Sequence, residues 1–199
     1  MAPGIVVVGA EEADECFRCA RDIPEEWLAK QVCVLGEVQG VGVALEREGG
    51  LQARLTVKHL PLLGRGVRGE EALDVVVRGV RLDSALARQA RLVLEQEVVG
   101  RRVKVQLLDR GHEEVGARVL MKSWGLWRTC VGQELVSRGL GRVDMRNPCL
   151  LQGYTDKLQG AEQEARRRCR GLWQDQEKEK RGWLAKTWAK CSEIFRSKY

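Results

Sequence analysis

Residues 74–141 constrain the fold more tightly than any other part of the chain. They read DVVVRGVRLDSALARQARLVLEQEVVGRRVKVQLLD, then RGHEEVGARVLMKSWGLWRTCVGQELVSRGLG. The order is strand, turn, helix, two strands, hairpin and helix. The β-branched run over 75–80, broken by Arg78 and Gly79, predicts a strand with a covered face. Asp83 or Ser84 is the expected cap of the next helix. Leu86, Ala90, Val93 and Leu94 recur at helical spacing with Glu97 at the edge of the stripe. Gly100 falls where a helix ends in the left-handed conformation. Val103, Val105 and Leu107 then alternate with Lys104 and Gln106, the period of a half-buried strand. A further strand is expected over 115–121 and a short helix over 131–138, closed by Gly139.

The flanking segments extend this pattern. Pro24 fits the first turn of a helix over 24–30. Val32, Val34 and Leu35 open a strand punctuated by Gly36, Gly40 and Gly42, which signal bulges and a bend, with a hairpin turn at Gly49 and Gly50. Residues 51–59 form the second strand, with Leu55 and Val57 alternating against Arg54 and Lys58. The segment 61–71 is a loop in which Arg65 and Arg68 are candidate phosphate contacts. Trp124 and Trp127 mark a hairpin and are candidates for stacking on bases. A helix is expected over 156–170, with Leu158, Ala161 and Ala165 on one face and Arg166, Arg167, Arg168 and Arg170 suited to its C-terminal dipole. Gly171 should end it, with Leu172 and Trp173 docking back. Residues 174–199 read as an amphipathic basic helix whose stripe holds Trp183, Leu184, Trp188, Cys191, Ile194 and Phe195. It suits packing on the barrel, a partner, or a membrane surface.

Composition bounds the function. At 44% hydrophobic and 31% charged residues, the chain is globular and not disordered throughout. The net charge of +6 is uneven. Acidic residues from Glu11 to Glu26 outweigh the cations of the first thirty positions, so the remainder is more basic than the whole. A basic body suits nucleic acid or an anionic surface. Residues 1–21 are expected to be a loosely ordered acidic segment, 22–173 the folded domain and 174–199 the helical tail.

The apolar run 5–10 is too short for a signal-peptide core or a membrane span, so the seven cysteines are expected to be reduced thiols in an intracellular protein. Cys16 and Cys19 form a lone Cys-x-x-Cys with no second pair, and His59 and His112 are isolated. Neither a zinc site nor a thioredoxin-like redox site is expected.

Four pieces, VVVRGVRLDS, VGRRVKVQLLD, GQELVSRGLGRV and AEQEARRRCRGLWQ, occur in the order of the staphylococcal-nuclease-like family, which the chain resembles. The resemblance implies an α+β fold, a five-stranded OB-type barrel with packed helices. DIPEEWLAKQVCVLGEV (22–38) and LTVKHLPLL (55–63) further resemble an animal subfamily of membrane-associated, nuclease-like proteins. That subfamily carries a transmembrane helix before the first of these segments, and residues 1–21 do not read as one. The resemblance also implies a site: calcium held by aspartates, a glutamate aiding the attacking water, and two arginines. Laid on this chain, the first arginine falls on Val76, the calcium aspartate on Arg81, the glutamate on Ser84 and the second arginine near Glu114. The family's early Gly-Asp-Thr turn falls on Gly49, Gly50 and Leu51. Arg81 in the metal position opposes calcium.

The expectation is therefore a nuclease-like fold without catalysis, metal or small-molecule cofactor, acting as a binding, adaptor or regulatory module. The candidate binding residues are Arg65, Arg68, Trp124, Trp127, Trp183 and Trp188. A protein partner comes first. Nucleic acid without cleavage, or a membrane surface reached through the last helix, are the alternatives, and a residual calcium-dependent nuclease is the last.

Overall fold

In a computed structural model of the chain, residues 19–45, 50–60, 72–123, 126–146 and 152–174 are described. The segments 1–18, 46–49, 61–71, 147–151 and 175–199, together with Trp124 and Gly125, lie outside them. So do the expected contacts of Arg65, Arg68, Trp124, Trp183 and Trp188, and of the side chain of Trp127.

Eight strands and four helices are arranged as α1 (Glu25–Ala29), β1 (Cys33–Leu45), β2 (Leu51–His59), β3 (Ala72–Val77), β4 (Val80–Leu82), α2 (Ala87–Glu97), β5 (Arg102–Arg110), β6 (Val115–Ser123), β7 (Leu126–Cys130), α3 (Val131–Ser137), β8 (Gly141–Val143) and α4 (Gln152–Arg167) among the described residues. The ring closes through five strands. β1 pairs with both β2 and β5, β5 with β6, β6 in parallel with β3, and β3 with β2. This is the OB-type fold expected for the staphylococcal-nuclease-like class. It is not a bare five-stranded barrel, because β4 and β8 extend the sheet beyond β2 and β7 pairs on β6.

Alternation explains the interior. Leu55 and Val57 of β2, Val75 and Val77 of β3, Val103, Val105 and Leu107 of β5, and Val115, Ala117 and Val119 of β6 all join one buried cluster. Their neighbours Arg54, Lys58, Lys104, Gln106 and Arg118 are only part-buried, so one face of each strand is covered. β1 is 13 residues long and shifts register between Val38 and Gly40, the bulge its glycines predict. The bulge lets a single strand bend to serve both neighbours. Ile23 and Trp27 close one end of the ring, held by Arg110, whose Nη1 donates to the Ile23 carbonyl at 2.8 Å.

The helices correct three details. Pro24 is the N-cap of α1, not its first residue. Neither Asp83 nor Ser84 caps α2. Leu86 is the N-cap, and Asp83 instead accepts the Ala85 N–H at 2.9 Å, an Asx turn. The fourth helix starts at Gln152 rather than 156 and ends at Arg167. Buried Tyr154 extends the stripe Leu158, Ala161, Ala165 one turn back at the same spacing. Gly100 has φ +75°, as its position predicts.

Leu107 is 0% exposed and lies on the covered face of β5. Leu107→Ala should cost about 2–5 kcal/mol, read from chemical denaturation. A change within about 0.5 kcal/mol, the surface range, would mean that this face of β5 is not packed.

Candidate functional site

Of the positions to which the resemblance assigns chemistry, Arg81 and Ser84 lie just beyond the corner where β3 turns into β4, Val76 lies within β3 and Glu114 just before β6. Arg78 and Gly79 make the turn, and Gly79 takes φ +82°, a conformation that suits glycine. The Arg78 N–H donates to the Ala117 carbonyl at 3.0 Å, and the Gly79 carbonyl accepts the Asp144 N–H at 3.0 Å. The corner is therefore tied to β6 on one side and to the chain after β8 on the other.

Beyond the corner, the inward residues Val80 and Leu82 leave Arg81 facing out. β8 pairs with β4 so that Arg142 lies directly opposite Arg81, and Leu51 of β2 lies opposite Leu82. Residues directly opposite in a ladder project to the same face, with Cβ atoms about 5 Å apart. Arg81 and Arg142 thus enter one cleft of about 240 Å³ with Gly50, Leu51, Leu82, Asp83 and Ser84. The Arg81 stem lies over Gly50, where an added Cβ would come within 2.9 Å of its Cδ.

Charges around the cleft are partly committed. Asp144 is gripped by Arg146, with Nε–Oδ1 at 2.9 Å and Nε–Oδ2 at 3.1 Å. These side-chain hydrogen bonds, helped by the Arg146 backbone N–H and the charges of Arg146 and Arg81, hold the Asp144 carboxyl below its ordinary range against the opposing effect of burial. Arg142 stacks on the Trp173 ring at 5.2 Å and Arg166 lies over the same ring at 4.2 Å. Trp173 is 4% exposed, and its Nε1 has no hydrogen-bond partner among the described residues.

The four assigned positions do not form a calcium site. Val76 is 1% exposed, on the side of β3 opposite Val75 and Val77, in register with Arg54 and Gly116. Glu114 is engaged by Arg54, Nη2–Oε2 2.6 Å, and Arg54 also lies 3.7 Å from Asp74. Arg81 and Ser84 line the cleft, where the one carboxylate among the described lining residues is that of Asp83. Calcium takes six to eight oxygen ligands, largely carboxylates. One carboxylate facing two guanidinium groups does not fit it. Among the described residues no group of three or more His, Cys, Asp or Glu is placed to hold a metal.

A second polar network backs the cleft. Arg78 donates through Nε to both Asp109 oxygens at 3.1 Å, through Nη2 to Oδ1 at 2.8 Å, and through Nη1 to Gln52 Oε1 at 2.9 Å. A Cβ on Gly116 would collide with the Asp109 carboxylate and the Arg78 guanidinium. Tyr154 donates its hydroxyl to the Arg78 carbonyl at 2.9 Å.

Residues 81–175 match the family model described as Staphylococcal nuclease homologue. The match defines a staphylococcal-nuclease-like segment over those residues, within the OB-type fold described above. Among solved structures, the chain is similar to the extended Tudor domain of Drosophila melanogaster Tudor-SN (p100), at 17% identity and a TM-score of 0.46, covering 70% of this chain and 74% of that one. No curated protein matches the chain.

Arg81 and Ser84 line one cleft, whereas Val76 and Glu114 stand apart from it with Arg54. Sequence reasoning missed Arg142, whose strand has only three residues, too few to show a period. The signal was its position just after the helix-ending Gly139. It also missed the Arg78–Asp109 pair, whose partners are 31 residues apart.

The Asp144 carboxyl is depressed in the folded chain, so its contribution to stability is in place above the ordinary carboxylate pKa of about 3.9 and is lost as pH falls through the lower folded value. The stability gap between wild type and Asp144→Asn should be widest near neutrality and close in acid. A gap independent of pH, in denaturation midpoints measured from neutral to acid, would show that the ion pair does not carry it.

Proposed function

We propose that the chain is a non-catalytic module of the staphylococcal-nuclease-like fold that works by binding, as an adaptor or regulatory protein with a protein partner. One observation carries this reading: Arg81, paired across the ladder with Arg142, stands where the resemblance puts the calcium-binding aspartate. Phosphodiester hydrolysis of the family's kind needs a metal held by carboxylates, a base for the water and guanidinium donors for the developing charge. Here the metal position carries a cation, the glutamate position a hydroxyl, and the arginine positions a buried valine and a glutamate already held by Arg54. The finer likeness to the membrane-associated animal subfamily is part of the same proposal and rests on residues 22–38 and 55–63. No helix among the described residues is long and apolar enough to cross a membrane.

A second reading, nucleic-acid binding without cleavage, is favoured by the outer face of β5 and β6. Arg102, Lys104, Arg118 and Lys122 lie on the side opposite Val103, Val105, Val119 and Met121, with the Arg118 guanidinium packed over the Tyr154 ring of α4 at 5.0 Å and the other three open to solvent or half-buried. Register places Arg102 beside Glu37 and Lys104 beside Leu35 of β1. No ion pair is formed by these four cations among the described residues. Such a face meets phosphate by charge alone, with an affinity that falls steeply with salt.

The test uses the purified chain with single-stranded DNA and RNA oligonucleotides in the presence of calcium. Both should remain intact, and calcium-dependent cleavage would overturn the proposal. Tight, salt-dependent retention of intact oligonucleotides would favour the second reading over the first.

A further inference from the structure

We infer that the Arg81–Arg142 cleft is a binding site for a compact phosphate dianion, such as a phosphomonoester group. The inference goes beyond the proposed function, since phosphate can bind there whether or not the chain cleaves anything.

Like charges directly opposite each other on a ladder are destabilising. Most arginines described elsewhere in the fold resolve their charge locally: Arg54, Arg78, Arg91, Arg110, Arg138, Arg146, Arg166, Arg167 and Arg168 all sit in ion pairs. Arg81 and Arg142 form none among the described residues. They face each other on β4 and β8 and enter the same cleft. Asp144 feels Arg81, but its two oxygens are taken by Arg146.

The available donors match an anion. The Arg142 guanidinium carbon lies 5.2 Å from the centre of the Trp173 ring, and its donors form no ion pair among the described residues. Arg81 is exposed and carries the same five-donor fork. The Ser84 hydroxyl adds a neutral donor at the rim. Asp83 is the opposing charge, held to the side by the Ala85 N–H. Among the described lining residues, two guanidinium groups against one carboxylate make the charge net positive, and a phosphomonoester brings about −1.5 to −2 charges and three acceptor oxygens. A phosphodiester brings one charge and fewer free oxygens.

The test is a titration of the full chain with inorganic phosphate, glycerol phosphate and dimethyl phosphate, followed by amide and arginine Nε signals in NMR. Glycerol phosphate and inorganic phosphate should produce saturable shifts at Gly50, Arg81, Ser84 and Arg142, with the Trp173 indole N–H moving with them. Dimethyl phosphate, a single charge with two blocked oxygens, should bind at least about tenfold more weakly. Arg81→Gln, a change at an exposed position, should weaken glycerol phosphate by about tenfold or more while the spectrum elsewhere stays unchanged. Arg142→Lys keeps the charge but loses the planar fork, and should weaken binding without abolishing it. Shifts that do not saturate, that centre on Arg102 and Lys104, that are equal for dimethyl phosphate, or that survive Arg81→Gln would each overturn the inference. Failure here leaves the non-catalytic reading standing, and oligonucleotide cleavage would defeat that reading while leaving this site.

Discussion

The bidentate pair of Arg78 with Asp109, completed by Gln52, fixes the corner on which the rest of the structure depends. It joins the end of β3 to β5 and β2, in a place where both side chains are largely shielded from water. Two shielded charges are costly unless geometry and extra hydrogen bonds offset their desolvation. Here three arginine nitrogens are used, the Arg78 carbonyl accepts from Tyr154 of α4, and Gly116 gives the pair its room. Removing one partner would leave an uncompensated charge, a loss of about 3–5 kcal/mol in comparable buried pairs. The corner is thus a junction of β2, β3, β5, β6 and α4.

What the corner positions is β4. Three residues after Arg78 comes Arg81, turned outward because Val80 and Leu82 turn inward, and β8 brings Arg142 to meet it. Under the proposed reading, the corner carries a positive charge at the position where the resemblance places a metal ligand. Fold alone does not decide between a nuclease and a binding module; the residues at the cleft do. A cation in a metal position repels the metal, and the same cation beside a second one attracts an anion. One geometry therefore accounts for both the proposed loss of cleavage and the proposed phosphate site.

Much of this was legible in the sequence where the period was long enough to read. Val103, Val105 and Leu107 alternate over a nine-residue strand, and all three are buried. Arg81 and Ser84 were singled out in the sequence as departures from a resembling motif, and both line one cleft. Shorter or longer-range features were not. Asp83 looks like a helix cap, but its side chain is used two residues on in a turn, a competition that local sequence does not resolve. The apolar stripe read from Leu158 onward does not show the start of α4, which buried Tyr154 and Thr155 hold one turn earlier. Arg142, and the pairing of Arg54 with Glu114 across 60 positions, depend on strand register, which the folded sheet supplies.

The proposal puts a positive charge in the cleft at the position where the resemblance places a calcium ligand. A calcium titration of the full chain, followed through the amides of Gly50, Arg81, Asp83 and Ser84, is its sharpest test. With wild type, no saturable shift is expected at these positions at any calcium concentration that leaves the rest of the spectrum unchanged. Saturable calcium binding centred on Asp83 and Ser84, with Arg81 displaced outward, would contradict it.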